Sequence, residues 1–246
     1  MGKGVGALVG AGAGAIGSML LSELAAGKMR WPLILATTVG GGLIGAVVAP
    51  GEAKAATQAP AGLLSLTVSD PPVVRAINAT PGTLVTLSLP PGAVWQNVSV
   101  GTPGNEFLGN LVAKGSTAPV TIPIPPVPGA TIDANWTTAD SQAHFQAIIA
   151  LPAGATLPTP VTDGTAVSAV QSVINAVAKD PYNTLVKTGL QSVPVNGSAS
   201  NPDFVKQLAT VQGFVNAEFA KMGRPVNLRT DGVLDYATYA IFSVPL

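Results

Sequence analysis

From Leu63 to about Leu157 the apolar residues come in short β-branched runs broken by proline and glycine. In "TLVTLSL", Leu84, Thr86 and Ser88 alternate against Val85, Leu87 and Leu89, the period of two expected of a half-buried strand. The same texture predicts strands at Leu64–Val68, Val73–Ile77, Leu84–Leu89, Val94–Val100, Val120–Ile124, Thr131–Trp136 and Ala143–Leu151. Pro90-Pro91-Gly92 and Pro126 to Gly129 are turn signals between them. The pattern predicts a central antiparallel β-sandwich or small barrel over residues 63–157. Past "LPTPVTDGT" the period changes. Val167, Val170, Ile174 and Val177 recur at helical spacing, predicting a helix over Thr165–Ala178 that Asp180-Pro181 ends. Asn201 is an N-cap with Pro202 at the first helical position, and Phe204, Leu208, Val211, Val215 and Phe219 form the next apolar stripe. Residues 158–246 therefore read as a small helical domain.

The first fifty residues follow neither period. Gly4 to Ser22 and Trp31 to Pro50 carry no charge, and "ELAAGKMR" between them supplies Glu23, Lys28 and Arg30. Each run approaches the ~20 residues that cross a hydrocarbon core. Residues 1–50 are thus expected to form a membrane-associated helical hairpin, joined by a small, polar linker at 51–62. Gly6, Gly10 and Gly14, then Gly41 and Gly45, recur every four residues, which places them on one helical face where backbones pack closely. This pattern resembles glycine-zipper membrane segments. A second reading stays open: Lys28 and Arg30, the apolar run and "AKAA" at Ala53 to Ala56 resemble a secretory signal with cleavage near Ala55. With the anchor retained, the positive-inside rule places the bulk of the chain in the periplasm, outside a bacterial inner membrane. The expected fold class is α+β multidomain: membrane hairpin, β domain, helical domain.

Composition narrows the function classes. Charged residues are 10% of the 246 residues and hydrophobic residues 47%, which points to lipid contact or a large assembly. Twelve basic residues balance twelve acidic ones, so no broad basic face for nucleic acid is indicated. Cysteine is absent, which excludes disulfides and thiolate metal sites. His144 is the single histidine and falls in a strand pattern without an acidic neighbour in sequence. It is expected to be structural, as are Trp95 and Trp136. Glu23, Glu52, Glu106 and Glu218 show no paired-carboxylate spacing, and no phosphate loop is present. No catalytic residue, metal ligand or cofactor is expected.

"TVQGFVNAEFAKMGRPVNLRTDGVLDYATYAIF" resembles the three-helix peptidoglycan-binding module of wall hydrolases. The matches are Val211-Gln212, Val215, Gly223, Asp231-Gly232, Leu234 and Thr238; Asp235 and Ile241 depart from that pattern, and its terminal Phe-Gln is missing. The resemblance implies glycan-peptide contacts from Arg229, Asp231, Tyr236 and Tyr239. More distantly, "LPPGAVWQNVSVGTPGNEFL" and "ANWTTADSQAHFQAIIALP" are similar to a class of β domain from type IV secretion machines. Together these readings predict a non-enzymatic, membrane-anchored structural component of an envelope-spanning assembly. Its expected partners are the lipid bilayer, other subunits including copies of itself, and peptidoglycan. A structural protein of a phage virion and a solitary wall-anchoring protein are the alternatives.

Overall fold

A computed structural model of the chain describes residues 62–180 and 183–243. The apolar N-terminal runs, with Gly6, Gly10, Gly14, Gly41 and Gly45, lie outside the described residues. Among the described residues no helix is long and apolar enough to cross a membrane, and the expected membrane hairpin finds no support.

Among the described residues there are eight strands: β1 (Leu63–Thr67), β2 (Val74–Asn78), β3 (Leu84–Ser88), β4 (Val94–Thr102), β5 (Asn105–Leu108), β6 (Val120–Pro123), β7 (Thr131–Thr137) and β8 (Ala143–Leu151). They form a three-stranded sheet, β1-β3-β6, and a five-stranded sheet, β2-β8-β7-β4-β5. The expectation of antiparallel sheets is corrected, because both are mixed: β1 pairs β3 in parallel, and β2 pairs β8 in parallel. The cause is the route of the chain. After β1 it crosses to the other sheet for β2 and returns for β3, so β1 and β3 lie side by side running the same way. Alternation of apolar and polar residues reports which face a side chain takes, and is silent on strand direction. The pattern also missed β5, which closes a hairpin with β4 around Pro103-Gly104 and carries Glu106.

The five-stranded sheet is the middle of three layers. One face meets the smaller sheet through Trp95, Trp136, Val98, Ile132, Ile148, Val85, Leu87 and Ile122, all at most 2% exposed. The other face carries Val74, Phe145, Ala147 and Ile149, which share a core with the helices. These are α1 (Gly164–Ala178), α2 (Thr184–Lys187), α3 (Pro202–Lys221) and α4 (Tyr236–Ser243). Coverage on both sides explains why six consecutive residues of β7 are buried. The predicted helical stripes are inside: Val167, Val170, Ile174 and Val177 on α1, and Phe204, Leu208, Val211, Val215 and Phe219 on α3. Asn201 accepts from the backbone of Asp203 and Phe204, as an N-cap should.

The helical layer repeats one device. "AVQSVINA" on α1 and "TVQGFVNA" on α3 share the pattern V-Q-x-x-(Ile/Val)-N-A. In each, the glutamine and asparagine grip a later loop: from α1 the loop between α2 and α3, and from α3 the loop between α3 and α4. Asn175 bonds both backbone groups of Val193 (2.8 and 2.7 Å), and Asn216 does the same to Leu228 (2.7 and 2.7 Å). Gln171 accepts from the backbone of Asn196 and Gly197 and donates to the Ser198 carbonyl. Gln212 accepts from Gly232 and donates to the Val233 carbonyl and the Thr238 hydroxyl. Even the close approaches match. Gly197 (φ +69°) sits on the backbone of Gly164 and Gly232 (φ +76°) on that of Val205, each seven residues before the gripping glutamine. The layer is thus two overlapping copies of a helix–loop–helix unit, with α3 serving both.

Candidate functional site

The second copy presents the turn singled out in the sequence. Its tip is Arg229-Thr230-Asp231, held from below by Gln212 and Asn216. The Arg229 guanidinium donates twice from Nε and once from Nη2 to the Asp231 carboxylate, at 2.5–3.2 Å, on the exposed side of the loop. That pairing, first, and the Val233 N–H, second, hold the Asp231 carboxyl down at about 2. Tyr236 is half-buried, edge-on to Tyr239 with ring centroids 6.4 Å apart. Tyr239 itself is 3% exposed and its ring lies against Gly129, where a Cβ would come within 2.8 Å of it. Burial raises its phenol well above the ordinary range. The structure therefore pairs Arg229 with Asp231 at the surface, leaves Tyr236 half-buried where the charge of Asp163 acts on it, and places Tyr239 in the joint between layers. The departure at Asp235 has a local cause: its carboxylate accepts from the Thr238 N–H at 2.8 Å and caps α4.

A second cluster escaped the sequence. His144, read as lacking an acidic partner, has Asp70 at 3.5 Å from Nδ1 and the Thr138 hydroxyl at 3.2 Å from Nε2. Asp70 comes from the crossover between β1 and β2 and is fully buried, paired with Arg224. Arg224 follows α3 through a glycine turn: Gly223 N–H bonds to Ala220 and Arg224 N–H to Phe219, the arrangement of a Schellman cap. That turn aims the guanidinium at β8, where it also donates to the Phe145 carbonyl at 3.2 Å. The His144 ring stacks on Trp136 at 5.5 Å between centroids. An acid, an imidazole and a hydroxyl in a row invite comparison with a nucleophilic triad, in which the hydroxyl must give its proton to the imidazole. Here the Thr138 hydroxyl donates at 2.5 Å to Asp140, and the acid is ion-paired to Arg224. The row fits a clasp between layers and not an activated nucleophile.

A third cluster lies on the helix-facing side of the middle sheet. On β2 and β8 that face is apolar, but on β4 and β7 it carries Asn97 opposite Asn135, then Ser99 opposite Asp133. Ser99, Asp133 and Asn135 are 1%, 2% and 7% exposed. The Asn135 amide donates to Asp133 at 3.0 Å, while Asn97 Oδ1, Ser99 Oγ and Asn135 Oδ1 have no hydrogen-bond partner. Burial above all, with a smaller push from Glu106, lifts the Asp133 carboxyl to about 8 against the pull of Asn135. Nothing in the sequence marked these residues, since polar positions in a strand pattern ordinarily denote the solvent face.

Comparison of the chain with family models, with curated proteins and with solved structures gave no match.

Proposed function

We propose that the protein is a non-enzymatic structural component of a bacterial envelope assembly, contacting peptidoglycan through the C-terminal turn. The observation that carries this reading is the Gln212–Asn216 grip. It fixes the backbone of Leu228 and Gly232 and so holds Arg229 and Asp231 outward on a rigid support. A preformed, paired charge at an exposed turn suits a ligand made of sugar hydroxyls, amides and carboxylates, for which orientation matters more than apolar area. The pairing of Thr138 with Asp140 and of Asp70 with Arg224 supports the non-catalytic side of the reading. The uncharged stretches at 4–22 and 31–50 support contact with a lipid surface.

The test is retention of the full chain on purified sacculi. Isolated residues 160–246 are a poor probe, because the helices share their core with β2 and β8. The wild-type chain should sediment with sacculi, and Arg229→Ala with Asp231→Ala should release it by tenfold or more at an unchanged melting temperature. No retention of the wild type, or equal retention of the double variant, rejects the wall contact.

A further inference from the structure

We propose that the strip formed by Asn97, Ser99, Asp133 and Asn135, with Glu106 at its rim, binds a hard divalent cation of the calcium class. The inference does not depend on the wall-binding reading, since the strip lies on β4 and β7.

Four side chains converge from two neighbouring strands, as two directly opposed pairs on one face. What they offer inward is oxygen. Asn135 spends its amide N–H on Asp133, leaving Oδ1 free; Ser99 Oγ and Asn97 Oδ1 are likewise unpartnered. An unmet buried acceptor costs on the order of 1–3 kcal/mol, and the single proton that Asp133 can hold meets one of the three, whereas a cation in its place meets them all. The charge acting on Asp133 is that of Glu106, which has the same sign. Glu106 is exposed and sits opposite Gly101, the next position along β4 on the same face. The C-terminal end of α4 adds to the negative field: the Ser243 carbonyl lies 3.4 Å from where a Cβ at Gly101 would sit. Partial exposure of Asn97 and the exposed position of Glu106 give an entry path from the β5 edge.

The donor set selects the ion. No imidazole or thiolate lies among these residues, which disfavours zinc and other borderline metals. Among the described residues no three acidic or imidazole groups converge, so the site relies on amide and hydroxyl oxygens beside its two carboxylates. Calcium accepts such mixed oxygens in flexible geometry, whereas magnesium demands a near-ideal octahedron and keeps its waters. Two carboxylates at most imply weak binding, with Kd of roughly 10⁻⁴–10⁻³ M.

The experiment uses the full chain, stripped with chelator, titrated with calcium chloride by calorimetry and followed by its thermal midpoint. Calcium at about 10 mM should raise the midpoint by on the order of 5 °C, as expected for a ligand well above its Kd. Magnesium chloride and sodium chloride at matched ionic strength should raise it by less than half as much. Asp133→Asn should abolish both the heat and the shift. Glu106→Gln, a change at an exposed side chain, should weaken calcium severalfold while leaving the calcium-free midpoint in place. Absence of a calcium-dependent heat in the wild type overturns the proposal. So does an equal response in Asp133→Asn, which would place the ion elsewhere, and an equal response to magnesium would refute the calcium preference. Should Asp133→Asn fail to fold, unchanged calcium affinity in Glu106→Gln overturns it instead.

Discussion

Asp133 shows how one side chain can carry a cost that depends on pH. Its carboxyl titrates near 3.8 when unfolded and near 8 in the fold. Between these values the folded chain holds a proton that the unfolded chain has released, so stability falls as pH rises from about 4 toward 8 and then levels off. Below 3.8 both states are protonated and the contribution is fully present. At 1.36 kcal/mol per pH unit, the loss by pH 7 is roughly 4 kcal/mol. In chelator, wild-type stability from urea unfolding should therefore decline across this window, and Asp133→Asn should flatten the decline. Parallel pH profiles for the two proteins would disprove the assignment. The individual letters of the sequence held part of this. Trp95 and Trp136 were legible as core residues because large apolar side chains have few other places to go. Asp133 was not, because "TIDANWT" alternates as a half-exposed strand does, and only the helices packed over it turn its polar face inward.

At the level of elements, the two gripping glutamines offer a matched pair of measurements. Gln171 and Gln212 are both buried, and each supplies at least three hydrogen bonds to loop backbone or its neighbours. Truncating either leaves backbone groups without partners, at roughly 2–4 kcal/mol by the cost of unmet buried groups. Gln171→Ala and Gln212→Ala should lower stability by similar amounts in chemical denaturation. A difference larger than about 2 kcal/mol would argue that the two copies are not equivalent supports. The helices themselves were readable: apolar spacing fixed α1 to within one residue and the buried stripe of α3, and Asn201-Pro202 marked the start of α3. The duplication is visible as letters once the structure aligns "AVQSVINA" with "TVQGFVNA". The loops that follow differ in length, and that hides the repeat from a fixed-period reading.

For the molecule as a whole, the question is what joins the helical layer to the sheets. A common apolar core does most of it, with Val74, Phe145, Ala147 and Ile149 facing Val167, Leu208, Val211 and Phe242. The Asp70–Arg224 pair adds a polar clasp from the far end of α3 to the β1–β2 crossover. Removing one partner of such a buried pair strands the other charge, typically at 3–5 kcal/mol. Arg224→Ala should lose about that much, while unfolding by calorimetry should remain a single transition because the layers share one core. Two separated transitions in the wild type would contradict a shared core.

The sequence by itself determined the positions of most strands and the long helices, the polar character of the C-terminal turn, and the segregation of apolar runs at the N-terminus. These follow from local period, capping and glycine or proline placement, which are properties of neighbours along the chain. Tertiary structure alone decided that the sheets are mixed and that the five-stranded sheet is covered on both faces. It also brought Asp70 to His144 and Arg224, and enclosed Asn97, Ser99, Asp133 and Asn135. Each of those depends on which distant segments pack together, and a side chain's burial and charge partners are set by that packing, not by the residues beside it in sequence.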